Sequence, residues 1–191
     1  PGESSGEKQL YFRKKGFIIR EKDERMIAMP RRDKENYYLD IAQAVSERGT
    51  CLRRLFGAVI VKNDTIISTG YAGAPRGRVN CCDIGSCLRQ KYNIPSGERY
   101  ELCRSVHAEA NAIIAASREE MLGATLYLSA TDAEGKNLVP GTTCCSMCKR
   151  LVINAGISTV VVRDTETEYR VIDVQKEWVD EDKPLELIKG Y

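Results

Sequence analysis

Two short motifs that lie far apart in the chain constrain its fold more than any other feature. The single histidine stands in His107-Ala108-Glu109, and a C-x-x-C, Cys145-Ser146-Met147-Cys148, follows later. Each opens a segment with helical character. The first runs from His107 to Ser117 and is rich in alanine; the second runs from Ser146 to Asn154, with Gly156 placed where a helix C-terminus favours left-handed backbone. The apolar run Ala124 to Ala130 between them reads as a strand, and the β-branched run Ser158 to Arg163 after them reads as another. Strand, helix and strand in that order suit parallel pairing, so the chain reads as α/β.

A lone histidine is ordinarily structural, and a lone C-x-x-C is equally a redox pair, half of a four-cysteine zinc site or a chance occurrence. Together the two motifs supply three metal ligands, His107, Cys145 and Cys148. Three ligands leave the fourth tetrahedral position of a zinc ion open to water, as a catalytic zinc requires, whereas a closed four-ligand site is structural. The start of a helix also favours thiolate, through its unpaired amides and its dipole. Glu109, two residues from the histidine, is placed to take a proton from the activated water without binding the metal.

The rest of the chain narrows the class. Lys and Arg number 29 against 27 Asp and Glu, a net charge of +2, which is too even for a polymeric nucleic-acid partner and fits a small anionic ligand better. No run approaches the roughly 20 apolar residues that span a bilayer, and no secretory signal is evident. The expectation is therefore a cytoplasmic protein with no membrane partner, in which eight cysteines point to metal or catalysis rather than disulfides. Residues 1–28 read as an extension or tag, and 29–191 as one domain with a C-terminal tail. Within that domain Tyr38, Ile41, Ala42 and Val45 give a helix an apolar stripe before Gly49. Phe56–Val61 and Thr65–Thr69 flank the turn Asn63-Asp64 as a hairpin. A long polar loop then runs from Gly70 to about Ser105 and carries four cysteines. From Asp164 onward, charged residues alternate with apolar ones such as Val171, Ile172 and Trp178, so the tail is expected to pack over an edge or a neighbouring subunit.

H-x-E followed by C-x-x-C is the signature of zinc-dependent base deaminases. With Thr50-Cys51-Leu52-Arg53-Arg54, Gly57-Ala58-Val59-Ile60-Val61, Ser68 to Gly77, His107 to Ile114 and Cys145 to Lys149, the chain resembles the deoxycytidylate deaminases from about Tyr37 to Val162. The resemblance implies a three-layer α/β/α cytidine deaminase-like fold with a central mixed sheet. It implies hydrolysis of dCMP to dUMP and ammonia in nucleotide metabolism, one catalytic Zn2+, and a homo-oligomer, commonly a hexamer. It also implies activation by dCTP and inhibition by dTTP, with Mg2+ accompanying the regulatory nucleotide.

The chain departs from the family pattern at several points. Cys144 stands where the family has proline, and the loop Thr131–Thr143 is longer than usual, suggesting a lid or an oligomer contact. Ala72 replaces the asparagine of Gly-Tyr-Asn-Gly that contacts the sugar, leaving Tyr71 and Asn80 as candidates for that role. Arg118 matches an arginine that contacts the phosphate of a regulatory nucleotide, with Ala115 small where some members are aromatic; a solvated charge at a helix end is the competing reading. Arg53, Arg54 and Arg76 are candidates for the 5'-phosphate. Some relatives hold a second, structural zinc. Its cysteines come from segments matching Cys51 and Cys81, so Cys51, Cys81 or Cys82, Cys87 and Cys103 are candidate ligands here, against reduced thiols as the plain reading. Two alternatives for the whole chain are the same chemistry on another nucleoside, base or tRNA adenosine, and a zinc-stapled module without catalysis, which would have no use for Glu109.

Overall fold

The computed structural model describes residues 13–14, 17–18, 31–95 and 97–181. The chain divides into two units, Pro1–Arg31 and Arg32–Tyr191. In the first, strands β1 (Arg13–Lys14) and β2 (Phe17–Ile18) pair antiparallel. The second holds a five-stranded mixed sheet in the order β4-β3-β5-β6-β7. Its strands are β3 (Arg54–Lys62), β4 (Thr65–Tyr71), β5 (Thr125–Asp132), β6 (Thr159–Arg163) and β7 (Tyr169–Asp173). β5 and β6 are parallel and every other pairing is antiparallel, which gives the mixed α/β sheet expected from strand, helix, strand.

Strand alternation divides the core into two layers. Val59, Val61, Tyr127 and Val161 face α1 (Lys34–Ser46) and meet Tyr38, Leu39 and Ala42. Ala58, Ile60, Leu126, Leu128, Val160 and Val162 face the other way and meet α4 (Ala108–Ile114) and α6 (Ser146–Ala155). Two glycines bring helix backbone onto the sheet. A Cβ on Gly57 would lie 1.9 Å from the Ala42 carbonyl oxygen, and one on Gly70 would lie 2.3 Å from that of Ala108. Any side chain at Gly70 would therefore push α4 off β4. Ser68 fastens the same contact by donating its hydroxyl to the Ala112 carbonyl at 2.8 Å.

Local signals set the boundaries. Asp33 caps α1 by accepting from the Asn36 amide, and Asn63 and Asp64 both adopt positive φ in the β3–β4 turn. The helix expected over His107–Ser117 is shorter than predicted. α4 stops at Ile114, because Ser117 and Glu120 form a reciprocal capping box that starts α5 (Arg118–Met121). The long polar loop holds two single turns, α2 (Cys81–Ile84) and α3 (Leu88–Lys91), and a 3-10 turn at Tyr100–Leu102. The tail supplies the edge strand β7, followed by a π-helical turn, Gln175–Asp180, where Lys149 of α6 sits over the Trp178 ring.

Candidate active site

His107 is the residue before α4 and Cys145 the residue before α6, so both sit at helix N-caps on the same face of the sheet. Cys148 follows one turn into α6 and is buried. The His107 Nδ1 lies 3.4 Å from the Cys145 Sγ and 3.5 Å from the Cys148 Sγ. Tetrahedral zinc, with Zn–N near 2.0 Å and Zn–S near 2.3 Å, separates such ligand atoms by about 3.6 Å. The three ligand atoms all lie within 4.8 Å of one another, so the donor set fits zinc in both chemistry and spacing. Among the described residues this is the single group of three or more metal-ligating side chains that converges.

The protons of this cluster are displaced from their ordinary places. The Cys145 thiol is pulled down to about 4, first by a hydrogen bond from Cys148 and then by His107, while Cys148 is pushed upward as the partner that keeps the proton. Burial works against a charged His107, yet the neighbouring Cys103 and Cys145 sulfurs raise it to about 11. Opposite charge is thus concentrated where a cation would replace the protons. Glu109 is buried, 3 % exposed, and desolvation raises its carboxyl above the ordinary range, against the opposing pull of His107.

His107 and Cys145 of the cluster, with Glu109, line a cavity of about 490 Å³. The walls carry Arg53, Arg54, Arg89, Lys91 and Arg104 but a single carboxylate, Glu109. A chain with an almost even overall charge has therefore gathered cations around one hollow, which favours an anionic ligand of nucleotide size.

The other sequence candidates fall into place unevenly. Cys51, Cys81, Cys87 and Cys103 all line this cavity, and Cys51, Cys103 and Cys87 lie close enough to add to the burial that raises the Cys81 thiol, but their sulfurs are not drawn within 4.8 Å of one another. The Cys81 Sγ sits 3.9 Å from the Ser105 hydroxyl, and Cys82 is exposed beside Asp83. Ala72 lines the cavity; Tyr71 accepts from Asn111 through its carbonyl at 2.8 Å and is 38 % exposed. Asn80 caps α2 and bonds Asp83 at 3.1 Å, so its amide is already engaged. Neither Asn80 nor Arg76 lines the cavity, whereas Arg53 and Arg54 do. Arg118 donates Nε to the Asn154 carbonyl at 3.0 Å, tying α5 to α6 away from the cavity. Cys144 is buried in the core with its thiol toward Glu109. The Thr131–Thr143 loop is held down: the Gly141 amide bonds Asp164 at 2.9 Å, and Arg170 donates both to the Thr142 carbonyl and to Asp164. That clamp anchors the residues just before Cys145.

Sequence reasoning passed over Arg89, Tyr100, Asp164 and Arg170. The first two lie in a loop without periodicity, and the other two in a tail expected to pack over an edge or a neighbouring subunit through its apolar residues; no spacing rule marks any of them.

The model of the cytidine and deoxycytidylate deaminase zinc-binding region matches residues 32–164. The deoxycytidylate deaminase of Mycobacterium phage D29 is 36% identical over 138 residues, 70% of this chain and 96% of that protein. Its counterpart in Schizosaccharomyces pombe is 33% identical over 129 residues, 66% of this chain and 36% of that protein, so this chain spans about a third of the yeast relative. The dCMP deaminase of cyanophage S-TIM5 superposes with a TM-score of 0.48 at 25% identity, over 69% of this chain and 82% of that one. By the family model and the phage relative, with the His107, Cys145 and Cys148 geometry in agreement, the chain belongs to the zinc-binding cytidine and deoxycytidylate deaminase family.

Proposed function

We propose that this protein hydrolyses dCMP to dUMP and ammonia. The observation that carries the reading is the convergence of His107, Cys145 and Cys148 beside a buried Glu109, in a cavity with cationic walls. Relatives named deoxycytidylate deaminase support the substrate. Zinc, when held by His107, Cys145 and Cys148, supplies the Lewis acidity that makes water nucleophilic at neutral pH. Glu109 accepts a proton from the attacking water and delivers it to the ring nitrogen, then carries the second proton, from the hydroxyl added to the ring carbon, to the departing amine, so the ring loses NH3 and gains a carbonyl oxygen. Its burial suits the exchange, because a raised carboxyl holds a proton more readily than an exposed one. The cationic walls orient an anionic substrate with its base toward Glu109.

Ammonia release from dCMP, CMP, deoxycytidine and guanine, measured on the purified protein with zinc quantified in parallel, tests this. Preference for dCMP is expected. A zinc-loaded protein that is inactive on dCMP but active on another of the four would overturn the substrate assignment.

Finer parts of the reading extend the same proposal. Residues 29–191 are the catalytic unit and 1–28 an extension. The protein is cytoplasmic and acts on a small nucleotide; among the described residues no helix is long and apolar enough to cross a membrane. It is a homo-oligomer, a hexamer by family resemblance, which suits the 77 % exposure of Ile114 at the end of α4. dCTP and dTTP act as effectors with Mg2+, Arg118 being the candidate contact. A second, structural zinc gathers Cys51, Cys81, Cys87 and Cys103, which already share one cavity wall.

A further inference from the structure

Arg89 is an unusual cation in this cavity. It lies on the single turn α3 and is 5 % exposed, yet its only hydrogen bond among the described residues runs from Nη2 to the Pro95 carbonyl, at 2.6 Å. Its Nε is buried without a partner. No carboxylate lies within ion-pair distance of it among the described residues: Glu101 feels its charge but bonds Arg99. A guanidinium withdrawn from water with so little compensation is destabilising unless a negative charge completes its surroundings.

The surroundings point toward the reacting end. The guanidinium carbon sits 4.4 Å from the centroid of the Tyr100 ring, and that ring meets His107 edge-on, with centroids 4.9 Å apart and planes at 89°. Arg89 is thus one aromatic ring away from the ligand cluster, in the wall of the same cavity, and its charge is felt at the Cys103 thiol. That offset suits a ligand whose base lies at Glu109 and whose anionic group lies a sugar's length away. The other cations are less enclosed: Arg54 is exposed, and Arg104 already gives its Nε to the Val79 carbonyl at 2.6 Å.

We propose that Arg89, held on the Tyr100 ring, selects nucleoside 5'-monophosphates over nucleosides by supplying the counter-charge for the phosphate. The proposal deepens the dCMP reading and rests on it. Tyr100 is the positioning residue, packed on both the guanidinium and His107. The phosphate brings the direct ion-pair partner that Arg89 lacks, so affinity arises from satisfying a buried, under-bonded guanidinium as well as from direct attraction.

Steady-state kinetics of the zinc-loaded wild type, Arg89→Gln and Arg89→Lys on dCMP and deoxycytidine test it, with thermal melts confirming folding. For Arg89→Gln, kcat/KM on dCMP is expected to fall roughly 100-fold, mostly through KM, and the preference for dCMP over deoxycytidine to collapse. Arg89→Lys should recover part of that preference. Inorganic phosphate should compete with dCMP in the wild type and lose potency in Arg89→Gln. An equal fall on both substrates marks a purely structural arginine and overturns the proposal, as does an unchanged preference. If Arg89→Gln does not fold, failure of phosphate to compete in the wild type overturns it. A wild type that prefers deoxycytidine sinks the dCMP reading itself, an outcome distinct from a dCMP-preferring wild type whose preference ignores position 89.

Discussion

Two groups of cysteines share one cavity and differ in how far the fold has assembled them. Cys145 and Cys148 meet His107 at ligand distance, while Cys51, Cys81, Cys87 and Cys103 neighbour one another in the wall, Cys103 also beside His107, at wider spacing. The first group sits at the starts of α4 and α6, two helices packed on the same sheet face, where Gly70 lets the backbone of α4 touch the strand. The second is distributed between the α1–β3 connection and a segment of single turns, with left-handed backbone at Gly85, Asn93, Gly97 and Arg99. Convergence therefore comes from helices seated on a sheet, not from the number of thiols nearby. One site is preorganised; a metal at the other would have to draw its ligands closer, at the expense of its own binding energy.

The sharpest way to test that contrast is to remove one ligand from each group. Cys148→Ser is expected to abolish both zinc retention and ammonia release, because two remaining ligands do not hold the catalytic ion. Glu109→Gln separates metal binding from proton transfer within the preorganised group. It should keep its zinc and its fold while kcat on dCMP falls by about 10²- to 10⁴-fold. A variant that keeps wild-type kcat would remove Glu109 from the chemistry.

Preorganisation by the sheet can itself be attacked. Gly70→Ala sets a Cβ 2.3 Å from the Ala108 carbonyl oxygen and 2.4 Å from the Ala112 nitrogen, backbone atoms with no rotamer to turn aside. Overpacking of this kind costs about 1–3 kcal/mol, and a displacement near 1 Å at a reacting group costs about 10²-fold in rate. Gly57→Ala produces an even closer contact, 1.9 Å, but against α1 on the opposite face. Both variants should melt earlier, and Gly70→Ala alone should lose activity out of proportion to its stability, with weaker zinc retention. Equal residual activity in the two would show that α4 is not the element that sets the ligand geometry.

The same contrast explains what was legible in the sequence. H-x-E and C-x-x-C mark residues whose geometry follows from their position at helix starts, so pattern alone locates His107, Glu109, Cys145 and Cys148. The hairpin, α1 and the parallel β5–β6 pair also follow from periodicity and turn chemistry. Arg89 and Tyr100 escape notice because their meaning lies in a stack built by an irregular loop, where no period relates one residue to the next. β7 escapes because an edge strand half open to water alternates charged with apolar residues much as a solvated tail does. α4 is shorter than its alanine content predicts because Ser117 offers the next turn a better start.

A smaller effect is expected at the clamp behind Cys145. Asp164 is held below the usual carboxylate range, first by the Arg170 hydrogen bond, so its folded pKa is lower than its unfolded one. Stability from that pair is fully present above the unfolded pKa and is lost as pH falls through the folded one. The pair is partly exposed, with side chains 42% and 21% accessible, which limits it to roughly 1 kcal/mol or a Tm change of about 2–4 °C. Asp164→Asn should therefore melt lower than wild type at neutral pH and converge with it in acid. A gap of constant size across pH would show that the loop is held by packing instead of charge.

The smallest effect on catalysis is expected from the more widely spaced group. If metal gathers Cys51, Cys81, Cys87 and Cys103, the purified chain carries two zinc ions and a chelator strips the loop ion first, since its ligands have to be ordered at the cost of binding energy. Cys87→Ser should then lower the zinc content from two per chain to one and broaden the melt, while ammonia release stays within several-fold of wild type. Zinc content measured by emission spectroscopy alongside activity during chelation checks this directly. A single ion that leaves together with all activity would mean that the loop thiols are ordinary cavity lining, and that the sheet-built cluster is the chain's one metal site.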